Sequence, residues 1–224
     1  MTAEIPETVE AATVVLLRDA EQGVETLLLR RNSKLGFAGG AWVFPGGRVD
    51  PGDRRPGDDE LASARRAAVR EAAEESGLVL EEDALVAFSH WTPPLVRIKR
   101  FATWFFLAEA PTTAVEIDGG EIVDHVWVSP ADALGRHAAG EVELLPPTWV
   151  TLDLVSRHDD VASLLADAAR RPIDVHVTKF EKDEHGHVIS MWEGDAGYET
   201  GDPSVPGLRN RLHMAENPWR YERD

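Results

Sequence analysis

Two short apolar runs, Thr13 to Leu17 and Val24 to Arg30, flank the polar stretch Asp19-Ala20-Glu21-Gln22-Gly23, a pattern that predicts a β-hairpin. Glycines and a proline crowd residues 36 to 52, with Trp42-Val43-Phe44 as a short strand among them. Pro51 to Glu60 is charged and carries too few apolar groups to be core, so it reads as a surface loop. From Leu61 to Ser76 the period changes. Leu61, Ala64, Ala68, Val69, Ala72 and Ala73 recur at helical spacings, Asp58 or Asp59 can cap the start, and Gly77 can end the helix.

Strand patterns return at Ala84 to Ser89, Lys99 to Leu107 and Ile122 to Val128. Ser129-Pro130 supplies a capping residue and a first-turn proline for a helix, a second helix begins after Pro146-Pro147, and Val161 to Ala169 continues helically. Beyond Pro172 the chain becomes strand-like at Val175 to Phe180 and Val188 to Trp192, joined by the polar Lys182 to Gly186, with another extended piece at Leu208 to Met214. This order predicts an α/β sandwich with a β-rich C-terminal extension.

Composition narrows the functions open to this fold. With 43% hydrophobic residues in 224, a substantial core is available. Lys and Arg total 23 against 40 Asp and Glu, a net charge of -17, which opposes binding to nucleic acid or to an anionic membrane. An anionic substrate would then need a local positive centre, which a metal ion could supply. There is no cysteine, hence no disulfide, thiolate nucleophile or cysteine-bound zinc. The acidic Met1 to Glu10 does not read as a signal peptide, and runs such as Phe101 to Ala108 are too short to span a bilayer, so a cytoplasmic protein is expected.

The chemistry concentrates in Arg70-Glu71-Ala72-Ala73-Glu74-Glu75-Ser76-Gly77-Leu78. On a helix, Glu71, Glu74 and Glu75 are related by i, i+3 and i+4 and leave from one face. Such a cluster is either a solvated acidic face or a site for a hard cation, Mg2+ or Mn2+, with water and substrate phosphate completing the shell. Arg70 stands four residues before Glu74 and can fix its orientation. Upstream, Phe44-Pro45-Gly46-Gly47-Arg48 allows close backbone approach at its glycines.

Together these segments resemble the Nudix box, which opens on a glycine and ends in Arg-Glu, an apolar residue, any residue, Glu-Glu, any residue, Gly and an apolar residue. Arg70 to Leu78 matches every defined position of that second half. The first half departs: Gly47 fits the opening glycine, Asp53 stands where the family usually has glutamate, and Arg70 falls nine residues later than the family spacing. The extra residues coincide with the polar loop 51–60, where added length costs little entropy.

The resemblance implies a Nudix-type α/β/α sandwich with a mixed sheet over residues 1–172, the box at about 47–78, and 173–224 as an extension packed on the same domain. It also implies attack by water on a phosphorus of a nucleoside diphosphate derivative, with Glu71, Glu74 and Glu75 as metal ligands. Glu121 would be a further ligand or the base, unless it is an exposed loop glutamate. Cations open to phosphate contact are Arg30, Arg31, Arg48, Arg97, Lys99 and Arg100, with Gly46 and Gly47 close to the substrate, although a solvated strand edge guarded by charge explains any one of these cations better. Trp91, Trp104, Phe105 and Phe106 can stack on a base or fill the core. His185-Gly186-His187 is a turn feature.

The flanking segments, including Leu27 to Arg31, Gly39 to Phe44, Trp91-Thr92-Pro93 and Arg100 to Phe106, look like the coenzyme A diphosphatase branch that carries a long box insertion. Other nucleoside diphosphates, such as ADP-ribose, a dinucleotide or a nucleotide sugar, remain open, as does a ligand sensor without turnover. A small-molecule substrate and a homodimer are compatible with all three.

Overall fold

The computed structural model describes residues 8–35, 38–95, 100–215 and 217–224. Its centre is a mixed sheet built on a parallel pair, β1 (Thr8–Ala20) and β6 (Arg100–Glu109). Alternation explains why this pair is central. Ala12, Val14 and Leu16 of β1, with Phe106 and Ala108 of β6, are buried on one face, while Val15 and Leu17, with Phe105 and Leu107, are buried on the other. Strands apolar on both faces must be covered on both.

The hairpin partner β2 (Gly23–Arg31) lies antiparallel to β1, followed outward by β3 (Trp42–Val43); β4 (Gly46–Arg48) pairs with β1 and β7 (Ile122–Val128) with β2. On the other flank, β5 (Val86–Thr92) runs antiparallel to β6. Helix α1 (Glu60–Ser76) covers one face through Ala64, Ala67, Ala68 and Ala72, whose small side chains let it lie close to the sheet. The other face is covered by α2 (Pro130–Ala138), α3 (Pro146–Val155) and α4 (Val161–Arg170), packed through Ala133, Trp149, Val150, Leu152, Val161 and Leu164. The result is the expected α/β/α sandwich.

The extension behaves differently from the single hairpin that its sequence suggests. Val175 to Phe180 is two strands: β8 (Asp174–Val177) joins the main sheet parallel to β5, and β9 (Lys179–Lys182) joins a separate antiparallel sheet. They divide at Thr178, whose N–H bonds to Thr92 O (2.9 Å) at the end of β5 while its hydroxyl oxygen accepts Trp192 Nε1–H (3.0 Å). The second sheet has the order β12 (Arg220–Arg223), β11 (Asn210–His213), β10 (Val188–Met191), β9. It is anchored by the buried pair Arg211–Asp195, two contacts of 2.6 Å, and tied to β8 by Arg223–Asp174 at 2.6 and 2.7 Å. The short β4 and the charged β12 have no hydrophobic pattern to announce them; both are held by backbone pairing. The expected strand at 84–89 begins later, at Val86, because Glu82–Ala84 forms a 3-10 turn. Among the described residues no helix is long and apolar enough to cross a membrane.

Candidate active site

Helix α1 is fixed at both ends by residues its sequence offers. The Asp59 carboxylate accepts Ala62 N–H (2.8 Å), and Gly77 takes the left-handed conformation (φ 70°), donating its N–H to Ala73 O at 3.0 Å. This sets the register that carries Arg70, Glu71, Glu74 and Glu75 towards β4.

Arg70 is the hub. Its Nη1 donates to Glu71 (2.9 Å) and Glu74 (3.0 Å), its Nη2 to Arg48 O (2.9 Å), and its Nε and Nη2 clasp the Asp53 carboxylate at 3.2 and 2.9 Å. Asp53 is buried and also accepts Asp50 N–H at 2.9 Å. Burial works to raise its carboxyl pKa, but the hydrogen bonds from Arg70 and the Asp50 backbone outweigh it and hold the group ionised below the usual range. Asp53, opening the site from the polar loop, therefore sets the orientation of the arginine that orients Glu71 and Glu74.

Glu75 is 5% exposed, and its carboxylate accepts Gly46 N–H at 2.9 Å. Burial pushes its pKa up to about 8; the Gly46 hydrogen bond opposes that rise, and the charges of Glu71 and Glu121 reinforce it. Glu71 is likewise raised by burial, against Arg70, with Glu74 and Glu121 adding to the rise. Glu71, Glu75 and Glu121 thus lie in one another's fields, although Glu121 comes from a different part of the chain. Gly47 explains how the backbone gets this close: a β-carbon there would stand 2.3 Å from a Glu71 carboxylate oxygen.

The Glu121 loop is held by Asp118, whose carboxylate accepts the N–H groups of Gly120 (3.2 Å), Glu121 (2.9 Å) and Ile122 (2.9 Å). Asn32 completes the attachment, donating its N–H to Glu121 O (2.8 Å) and its side-chain amide to Gly120 O (3.0 Å). Arg31 reaches Glu121 at 2.5 Å. Asp118 and Asn32 are positioning residues that the sequence reading missed; the Asp118-Gly-Gly run before Glu121 was the available signal.

Arg70, Glu71, Glu74 and Glu121 line one wall of a cleft of about 520 Å3, with Glu75 buried behind Gly46. Arg48, Gly46 and Gly47 face it, as does Arg31. Arg30 does not line it: the β2–β7 register shifts between Arg30 and Arg31, and Arg30 lies over Trp42 (5.9 Å to the ring centre), 3.7 Å from Asp124. Arg100 is 7% exposed and is occupied in bonding Pro93 O (3.1 and 2.9 Å) and the Thr8 hydroxyl (3.2 Å). Arg97 and Lys99 lie outside the described residues. Trp91 and Phe105 line the cleft, whereas Phe106 is core and Trp104 packs on the α1 side, donating to Glu60 (2.8 Å). His185 and His187 sit in the β9–β10 turn, where the Asp183 carboxylate accepts both of their N–H groups at 2.9 and 2.8 Å.

Among the described residues, no three imidazole or carboxylate groups stand ready as a cage for a metal ion. Each carboxylate has its own partner instead: Arg70 draws Glu71 and Glu74, and Gly46 draws Glu75. The donor set nevertheless suits a hard divalent cation. It is all oxygen, burial together with the neighbouring carboxylates raises Glu75 and Glu71, and the Gly46-Gly47 backbone leaves room beside it.

Comparison with known proteins agrees with the geometry. The NUDIX domain family model matches residues 8–147, more than half of the chain. The chain belongs to the Nudix family. A Caenorhabditis elegans protein bearing the name nudix hydrolase 7 is 26% identical over 186 residues, covering 67% of this chain and 61% of that protein, so the chain spans about three fifths of that relative's length. A NUDIX hydrolase from Alicyclobacillus acidocaldarius shares the fold with a TM-score of 0.67 at 23% identity, over 75% of this chain and all (100%) of that one. The NUDIX domain of Shewanella oneidensis NrtR, solved with ADP ribose, aligns at a TM-score of 0.50 and 18% identity over 67% of this chain and 87% of that chain.

Proposed function

We propose that this protein is a divalent-metal-dependent hydrolase that cleaves the phosphoanhydride bond of a nucleoside diphosphate derivative, with coenzyme A or an acyl-coenzyme A as the favoured substrate. The observation that carries the reaction class is the placement of Glu71, Glu74 and Glu121 beside the Arg70 hub on the wall of a cleft of about 520 Å3, with Glu75 buried next to them on Gly46 N–H.

Glu71, Glu74 and Glu75 would hold Mg2+ or Mn2+, with Glu121 as a further ligand or the base. A divalent ion held there would offset phosphate charge and would lower the pKa of a water bound to it. The chain's own groups do the rest. Arg70 holds Glu71 and Glu74 in place, Arg31 and Arg48 offer guanidinium groups to phosphate oxygens, and Glu121 can accept a proton once substrate draws Arg31 away from it. The preference for coenzyme A rests on the segments flanking the box and on the lengthened loop 51–60, read as an insertion. Residues 1–172 form the catalytic domain in this reading, with 173–224 packed on it.

Product identification by mass spectrometry tests the proposal: the protein is incubated with Mg2+ or Mn2+ and coenzyme A, acetyl-coenzyme A, ADP-ribose, dinucleotides or nucleotide sugars. Adenosine 3',5'-bisphosphate from the coenzyme A compounds is the expected result. Selective cleavage of another compound would discard that substrate and keep the reaction; no turnover of any would sink the hydrolase reading.

A further inference from the structure

The lining of the cleft changes character along the sheet. Its charged side chains come from β2, β4 and the Asp50 that follows, α1, and the loop before β7. From β1 outward through β6 and β5 and on past β8 to β9 of the second sheet, the described lining residues are uncharged: Phe101, Thr103 and Phe105 of β6, then Trp91 of β5, then Thr178 between β8 and β9 and Phe180 of β9. The last two belong to the C-terminal extension, outside the segment that matches the family model.

This outer wall is built firmly. Trp91 is stacked on His176 (ring centres 3.8 Å, 15° between planes) and meets Trp192 edge-on at 5.4 Å. The segment bearing Thr178 is held by Thr178 N–H on Thr92 O (2.9 Å), Trp192 Nε1–H on the Thr178 hydroxyl (3.0 Å) and Tyr198 O–H on Val177 O (2.9 Å). Lys179 is turned to Tyr198 O at 2.7 Å and does not line the cleft. Among the described residues, a charged group seated against this wall would lose water without gaining a charged partner, whereas an apolar group would gain contact area. Side chains locked by their neighbours can discriminate in this way.

We propose that Thr178 and Phe180 are specificity residues that hold an uncharged, apolar arm of the substrate against Trp91 and Phe105, while the charged end of the cleft takes the diphosphate. This rests on the phosphoanhydride-hydrolase reading. The extension is then part of the site.

The test uses the full chain and compares free coenzyme A with hexanoyl-coenzyme A, in which the thiol carries a six-carbon acyl arm through a thioester, with ADP-ribose as a third substrate. Turnover is measured with Mg2+, and binding by calorimetry in EDTA. Hexanoyl-coenzyme A is expected to exceed coenzyme A in kcat/KM by about tenfold, the scale of a small apolar contact. F180A should erase that preference, with the loss falling on KM, and F180L should restore most of it. Thermal unfolding checks that each variant folds, and F180V carries the same comparison should F180A not fold. An acyl preference untouched by truncation at Phe180, or no preference for the acyl compound in turnover or binding while ADP-ribose is hydrolysed, overturns the proposal and leaves the hydrolase reading standing. Hexanoyl-coenzyme A binding that depends on Phe180, without hydrolysis of any of the three compounds, supports the wall and sinks the hydrolase reading.

Discussion

Arg70 clasps Asp53 through two nitrogens, at 3.2 and 2.9 Å, across the polar loop that separates the two halves of the box. Because the same guanidinium holds Glu71 and Glu74, the loop can lengthen without disturbing the carboxylates, provided Asp53 returns to this point. Replacing Asp53 by Ala leaves a partly buried cation with one fewer counter-charge, and should destabilise the fold by about 1–3 kcal/mol. Urea unfolding measures this. The same variant should weaken Mg2+ or Mn2+ binding, because Arg70, freed from Asp53, turns more fully onto Glu71 and Glu74.

Gly47 tests the close approach. Its missing β-carbon would meet the Glu71 carboxylate at 2.3 Å, and that carboxylate is the far end of a flexible side chain. G47A should therefore change stability by less than about 1 kcal/mol, within the usual range for substitutions without a core defect, yet displace Glu71 and lower turnover at least about tenfold. Full activity in a folded G47A would show that the position of Glu71 does not matter.

Glu75 offers the opposite dissociation. Its carboxyl is pushed up to about 8 by burial and neighbouring charge, so a neutral glutamine, whose side-chain oxygen can still accept Gly46 N–H, should leave the metal-free fold as stable as before or slightly more so. E75Q should lose most metal-dependent turnover and the stabilisation that added Mg2+ or Mn2+ gives the parent protein in thermal unfolding. Unaltered activity would remove Glu75 from the metal site.

Helix α1 was legible in the sequence because everything that defines it is local: Asp59 at the start, alanines at helical spacing, Gly77 at the end, and three glutamates on one face. What required the structure was non-local. Arg30 and Arg31 are adjacent cations on one strand, and only the bulge opposite β7 decides which of them reaches Glu121. Arg100 resembles a surface cation in sequence, yet its guanidinium is consumed by the Pro93 carbonyl. Val175 to Phe180 has one continuous strand pattern, and its division at Thr178 depends on Thr92 and Trp192, distant in sequence.

His176 gives the last prediction. It is 1% exposed, stacked on Trp91, and neither ring nitrogen has a hydrogen-bond partner among the described residues. Burial depresses its pKa from 6.5 to about 4, against the pull of Asp174, so the folded protein keeps it neutral. Above pH 6.5 the ring is neutral in both folded and unfolded chains and carries no pH-dependent term. Between 6.5 and about 4 the unfolded chain takes up a proton that the folded one refuses, so stability falls with pH; below about 4 the loss is complete. A shift of this size corresponds to about 3 kcal/mol. H176F keeps the ring stack and removes the titration, so the difference in unfolding free energy between parent and variant should change by about that amount from pH 7 to pH 4, in favour of the variant at the acid end. Parallel stability curves for the two proteins would mean that the ring finds a proton acceptor in the folded state, and that the wall behind Trp91 is more polar than its packing indicates.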